Sequence, residues 1–253
     1  MPPISATIIT HNEAANIARA IRSVDCADEI LVVDSDSTDE TVKIAAELGA
    51  RTITHAWEGF AAQKSYAVAQ ASHDWILSLD ADEELNEDAR TAIRDWKQLT
   101  PPVGAYRFAR RAKYLGRWIL HSGWYPDWKI RLFDRSKARW VGNYVHESVA
   151  AEEPVETMDG EILHYTCDSL DDHRRRIEFY TDLAAREMFE CGERAGLARR
   201  GLAPPWVFLN TYFLRLGVLD GVPGVLIAWM AARYVHRKYV KLAQLQRSNK
   251  RTQ

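Results

Sequence analysis

The stretch WILSLDADEEL, residues 75–85, decides the fold. Ile76, Leu77 and Leu79 make an apolar run that ends in Asp80, Asp82, Glu83 and Glu84. A short run of this kind, closed by polar residues, describes a strand buried on both faces. Carboxylates repel one another and are costly to desolvate, so the four at its end need water or a positive charge among them.

Working outward, the same pattern recurs. ATIIT (6–10), EILVVD (29–34), RTIT (51–54) and DWILSLD (74–80) alternate with helical segments. Asn12 reads as the cap of a helix through Ile17, Ala20, Ile21 and Val24. Ser37 and Glu40 read as a capping box for a helix that stops at Gly49, and GFAAQKSYAVAQA (59–71) as a third helix. Asn86 caps a fourth, which Pro101 and Pro102 end. Repeated β–α units with continuous apolar strands predict an α/β fold with a mostly parallel sheet flanked by helices. Ligands of such sheets sit at the strands' carboxyl ends, where Asp34 and Asp80 stand. Beyond Pro102 the pattern turns to antiparallel strands, with a turn near Asp134 to Ser136. Ser169 then caps a long polar helix running to about Cys191, and GERAGLARRG reads as a hinge. The expected organisation is a β–α half over 1–100, an antiparallel half over 101–167 and a helical extension over 168–253.

Bulk properties remove several classes. A formal net charge of −2 gives no basic field for nucleic acid. Three distant cysteines without a CxxC pair argue against a disulfide scaffold or structural zinc, and for a reducing compartment. The N-terminal MPPISATIIT lacks the features of a secretory signal. The segment 204–247 is strongly apolar but interrupted by Arg215, Asp220, Gly221 and Pro223, so neither half supplies the run of roughly 20 apolar residues that spans a bilayer. Basic residues from Arg233 to Lys241 follow Trp229, which suits an interfacial helix pair on an anionic leaflet. The alternative is a helix hairpin packed on the domain or on a second copy of the chain.

Three features carry chemistry. Asp80-Ala81-Asp82 is a D-x-D at a strand end; on an extended backbone residues two apart point the same way, and the pair can hold a divalent cation completed by phosphate oxygens and water. The plain alternative is two solvated carboxylates, which is also the reading for Glu83 and Glu84 in the turn before Asn86. Asp34 is placed to accept a hydrogen bond from a base or ribose, whereas Asp36 and Asp39 read as turn residues. Lys64, on the third helix, is either a solvated lysine or a cation facing a diphosphate.

TIITHNEAANI, EILVVDSDSTDET, GFAAQKSYA and WILSLDADEEL together resemble the nucleotide-sugar half of family 2 glycosyltransferases, which have the GT-A fold, a Rossmann-like fold for nucleotide-diphospho-sugars. YLGRWILHSGWYPDWKIRLFDR, WVGNYVHESV, ILHYT and LGVLDGVPG resemble the bacterial lipopolysaccharide and lipooligosaccharide core β-glucosyltransferases. The resemblance implies that Thr10, Asn12 and Glu13 lie against the nucleotide, that Asp34 binds uracil or ribose, and that Lys64 meets the diphosphate. It implies that Asp80 and Asp82 handle ribose and metal (Mg²⁺ or Mn²⁺), Asp82 more directly. It implies a UDP-sugar donor, inversion, a lipopolysaccharide core or other glycolipid acceptor, and a place on the cytoplasmic face of the inner membrane.

An inverting transfer needs a base on the acceptor side. Glu147, in NYVHES, is the first candidate; Asp127, in WYPDWK among Trp124, Tyr125 and Trp128, is the second and suits acceptor binding. His146 is a candidate to complete the metal site, with His164 its rival. Lys129 and Arg131 alternate on one strand face, and Arg110, Arg111 and Lys113 lie on another strand. Each set either meets phosphates or protects a solvated strand edge. Two other activities share the first half: transfer to a polyprenyl phosphate, and a non-catalytic nucleotide-binding scaffold at the membrane.

Overall fold

The structure, a computed structural model, describes residues 1–142 and 147–252. The chain begins β1 (Ile4–Thr10), α1 (Ile17–Ser23), β2 (Glu29–Asp34), α2 (Thr41–Glu47), β3 (Arg51–Thr54), α3 (Phe60–Gln70) and β4 (Trp75–Asp80). The four strands pair in parallel in the order β3-β2-β1-β4. Strand β1 is buried along its whole length, and its side chains divide between two clusters as the period of two requires. Ile4, Ala6 and Ile8 pack with Ile17, Ala20 and Ile21 of α1 and Ala45 of α2; Ile9, with Leu31 and Val33 of β2, packs with Ala67 of α3. Helices therefore cover both faces, and no face is left for polar alternation.

The chain continues through β5 (Glu83–Leu85), α4 (Glu87–Trp96), β6 (Ala105–Tyr114), β7 (Arg117–Trp118), β8 (Asp127–Asp134), β9 (Ala138–Val141), β10 (Ser148–Ala151) and β11 (Val155–Cys167). Asn86 caps α4 by accepting from Ala89 N at 2.9 Å, and Ile93 and Trp96 join the α1 side of the core. The sheet extends past β4 as β8-β6-β11-β5, and β9 and β10 form a separate antiparallel pair. Pairs β4–β8, β6–β8 and β11–β5 are antiparallel. The expected α/β fold is thus present, with the parallel half confined to the first four strands.

Two expected caps are not formed. Asn12 has φ +54° and sits ahead of α1, whose N-cap is Asn16. Ser37 Oγ donates to Asp34 instead of capping α2, which starts at Thr41 with Thr41 N donating to Asp39 Oδ1 at 3.0 Å. In both places a loop at the strand ends has taken the polar side chain for itself.

The chain divides into two compact units. The first holds residues 1–111 and 127–165; the second holds 112–126 and the residues from 166 on. The second contains α5 (Leu170–Glu190), capped by Ser169, α6 (Leu197–Leu209) and α7 (Val222–Thr252). Between α6 and α7 come one π turn, Asn210–Leu214, and one 3-10 turn, Gly217–Asp220. A side chain on Gly224 would collide with the Gly217 carbonyl and one on Gly217 with the Thr211 carbonyl, so both glycines are needed where α7 starts back.

Candidate active site

Three parallel strands end side by side. Thr10 of β1 is in register with Asp34 of β2, and Ile9 with Asp80 of β4. Asp34 is 2% exposed; its oxygens accept from Ser37 N at 2.8 Å and Ser37 Oγ at 2.5 Å. Asn12 N donates to Ser37 Oγ at 2.8 Å, and Asn12 Oδ1 accepts from Thr38 N at 2.8 Å. Glu13 N donates to Thr41 Oγ1 at 2.8 Å. Thr10, Asn12, Glu13 and Asp34 are thus gathered on one rim, where two loops tie each other down. Gln63 of α3, fully buried, donates to Ser35 Oγ at 2.8 Å behind that rim.

The D-x-D is split. Strand β4 ends at Asp80, and Ala81-Asp82 is a turn before β5, so the extended-backbone expectation does not hold. Asp80 faces Lys64 Nζ at 2.9 Å and Arg131 Nη2 at 3.1 Å. Asp82 faces His164 Nε2 at 3.3 Å. This second contact follows from β11, where His164 pairs with Glu83 and Tyr165 N donates to Asp82 O at 2.9 Å.

Glu83 corrects the expectation of a solvated turn: it is fully buried. Arg131 Nη2 lies 2.8 Å from each of its oxygens, Arg110 Nη1 donates to Oε1 at 2.9 Å, and Oε2 accepts from Asp80 N at 3.1 Å. Glu84 also has partners, Arg19 at 3.4 Å and the Tyr165 hydroxyl at 2.7 Å. The positive charge required by Asp80, Glu83 and Glu84 of WILSLDADEEL therefore comes from the protein. For Asp80, burial disfavours the charged form, but Lys64 and Arg131 outweigh it and hold the carboxyl well below the usual range. For Glu83 burial acts the same way, and Arg131 and Arg110 overcome it, lowering the carboxyl to about 2.

Lys64 is 2% exposed, which removes the solvated reading. Its ammonium also contacts Glu147 Oε1 at 3.2 Å and lies 4.6 Å from the Trp140 ring centroid. Arg131, 3% exposed, is likewise no edge protector. Asp127 is held by Arg110 at 2.6 Å and by Lys129 at 3.1 Å. One ionic chain thus runs Asp127, Arg110, Glu83, Arg131, Asp80, Lys64, Glu147, and both candidate bases stand at its ends. Arg111 pairs with Glu161. His146 lies outside the described residues.

Sequence reasoning missed Glu83 and the joint role of Arg110 and Arg131. The signal was present: Lys129 and Arg131 alternate on a strand whose other face carries Ile130 and Leu132. An inward arginine beside a buried strand end needs a carboxylate, and Glu83 was available.

Among the described residues, no three metal-binding side chains converge on one point. Asp82 and His164 are a two-donor set, carboxylate and imidazole, which suits a divalent cation whose remaining positions are filled by phosphate and water.

The chain is similar to several known proteins. The profile of Glycosyl transferase family 2 matches residues 5–147. An uncharacterized glycosyltransferase of Rickettsia felis is 32% identical over 274 residues, covering 98% of this chain and 91% of that one. The lipopolysaccharide core biosynthesis glycosyltransferase LpsC of Rhizobium meliloti is 28% identical over 256 residues, covering 96% of this chain and 95% of that one. Among solved structures, glucosyl-3-phosphoglycerate synthase of Mycobacterium tuberculosis, in complex with Mn²⁺, UDP and glucosyl-3-phosphoglycerate, matches at 25% identity with a TM-score of 0.36, over 44% of each chain. The match spans less than half of that enzyme's length.

Proposed function

The chain belongs to glycosyl transferase family 2 and is a glycosyltransferase, and from that premise we propose that it moves a hexose from a UDP-sugar, UDP-glucose foremost, onto the inner core of lipopolysaccharide or lipooligosaccharide, with inversion and a divalent cation. The observation that carries this reading is the rim of Thr10, Asp34 and Asp80 at the ends of three adjacent parallel strands, with Lys64 buried against it. Such a crevice suits a nucleotide, and a buried ammonium suits its diphosphate. The relation to LpsC along nearly the whole chain supports the acceptor.

The roles follow from chemistry. Asp34, with Thr10, Asn12 and Glu13, holds the nucleoside. Lys64 and Arg131 supply fixed positive charge for the diphosphate, which competes with Asp80 for them. Asp82 and His164 hold the cation, which when bound offsets charge on the departing diphosphate. Glu147 takes the proton from an acceptor hydroxyl. That oxygen bonds to the anomeric carbon as the bond from this carbon to the diphosphate oxygen breaks, and UDP leaves with the electron pair. Asp127 is the weaker candidate because Arg110 and Lys129 already occupy its oxygens.

The test is transfer of labelled glucose from UDP-glucose to purified core acceptor or to polyprenyl phosphate, with Mn²⁺, with Mg²⁺ and with chelator. Transfer to the core alone, lost with chelator and giving an inverted product, is expected. Transfer to polyprenyl phosphate overturns the acceptor, and tight UDP binding without turnover on either overturns catalysis in favour of a scaffold. Glu147→Gln should lower kcat by about 10²–10⁴-fold, the usual range for a general base. Normal turnover would move the base to Asp127.

A further inference from the structure

The link between α6 and α7 has its polarity reversed. Its inward side carries Thr211, Gly217 and Asp220, all buried. Asp220 accepts from Ser122 Oγ at 2.7 Å and from Leu120 N at 3.3 Å, and lies 3.1 Å from His121 Nδ1. Its outward side carries Phe213, Leu214, Leu216, Val218, Leu219 and Val222, of which Leu214, Leu219 and Val222 are 67%, 61% and 72% exposed. Leu216 is held outward at φ +55°, a conformation that disfavours a branched side chain. A tip built for water would place these leucines inside and the carboxylate outside.

The flanking helices continue the apolar surface. Leu202, Trp206, Leu209 and Phe213 recur at the spacing of one helical face, as do Val222, Val225 and Trp229. Trp206 and Trp229 are 60% and 62% exposed. Each stands seven positions from a residue of the tip, Phe213 or Val222, which is roughly 10 Å at about 1.5 Å per residue. That matches the depth of about 5–10 Å to which interfacial helices sink, with tryptophan at the headgroup level. The charges agree: from Arg199 to Lys241 the acidic residue is Asp220 alone, and it is buried, whereas Arg199, Arg200, Arg215 and Arg233 are basic. No helix among the described residues is long and apolar enough to cross a membrane.

We propose that this hairpin tip dips into one leaflet of an anionic bilayer and anchors the second unit there. Leucines, valines and Phe213 enter the acyl boundary, Trp206 and Trp229 sit among the headgroups, and the arginines meet lipid phosphates. Asp220 holds the 120–122 loop against the tip from behind. The inference is independent of the donor-site reading.

Vesicle flotation of the full chain tests it. The protein should float with vesicles of phosphatidylethanolamine and phosphatidylglycerol, and more weakly with phosphatidylcholine alone. The doubly substituted chain L214S/L219S should lose at least about ten-fold in partitioning, since two large apolar side chains are removed from the contact. Its far-UV circular dichroism should be unchanged, because both side chains are exposed. Bromine-labelled acyl chains should quench tryptophan fluorescence in the native chain, and less so in Trp206→Phe and Trp229→Phe. Failure of the native chain to float overturns the proposal, as does undiminished flotation of the doubly substituted chain. A native dimer that L214S/L219S converts to monomer without any vesicle binding also overturns it and assigns the face to a second copy.

Discussion

The crevice of the first unit and the hairpin tip of the second handle buried charge in opposite ways. In the crevice Lys64, Arg131 and Glu83 are buried as ions among ions, each touching an opposite charge within about the length of a hydrogen bond. At the tip a single carboxylate, Asp220, is buried among the Ser122 hydroxyl, the Leu120 amide and the His121 ring. An ionic chain seldom adds net stability over an apolar core, because desolvation offsets attraction. It does leave fixed charges that a charged ligand can recruit. A carboxylate among hydrogen-bond donors pins a loop. The crevice is thus built for exchange of partners and the tip for shape.

Glu83→Gln sharpens this contrast most. It leaves the buried Arg131 and the half-buried Arg110 facing a neutral amide, and breaking a buried pair from one side costs about 3–5 kcal/mol. A fall in Tm of roughly 10 °C is expected for a unit of this size. The pH dependence gives a second measurement. The Glu83 carboxyl is lowered from 4.5 to about 2 in the folded protein, so its contribution is complete above the unfolded value and is lost as pH falls from about 4.5 toward 2. The loss is about 3 kcal/mol at 1.36 kcal/mol per pKa unit. Denaturant unfolding across that range should show a slope in the native chain that is smaller in Glu83→Gln. A variant as stable as the native chain would mean that the arginines find other partners and that the ionic chain is not a unit.

His164→Ala comes next in size. If Asp82 and His164 share a cation, Mn²⁺ affinity, read by the loss of the free-ion paramagnetic resonance signal on titration with the protein, should fall at least about ten-fold. Transfer activity should recover in part at higher Mn²⁺. Unchanged affinity would leave the imidazole as a partner of Asp82 only and remove the two-donor site.

Legibility from sequence followed the same divide. The parallel half was readable because its strands are short, apolar and separated by helical periods, and because β–α repetition admits few topologies. Ser169 and Asn86 read correctly as caps because their oxygens accept from the first turn of the helix, which Asn86 Oδ1 does while also accepting from Glu161 N. Asn12 and Ser37 misled because the rim of the crevice uses the same polar groups to join its own loops. Apart from Lys64 of α3, the partners of Asp80, Asp82 and Glu83 come from β6, β8 and β11, 27 to 82 residues further along the chain. Local spacing carries no trace of pairing at that distance, which the antiparallel registers of β8 and β11 create. The interruptions of the apolar tail were visible in the sequence, yet the inversion at its turn depends on which side of each residue faces outward.

Asp220→Asn is the smallest expected effect and the most direct test of the contrast. The amide oxygen can keep the bond from Leu120 N at the Oδ1 position while the amide nitrogen donates to the Ser122 hydroxyl in place of Oδ2, so what is lost is the charge-assisted part of those bonds. Hydrogen bonds to a charged group contribute about 1.5–3 kcal/mol against about 1 for neutral ones, which predicts a loss of about 1–2 kcal/mol and a Tm lower by a few degrees. Membrane partitioning should hold, because the leucines still face outward. A destabilisation equal to that of Glu83→Gln would mean that the tip, too, is held by an ion pair. The distinction between a crevice of ions and a pinned loop would then fail.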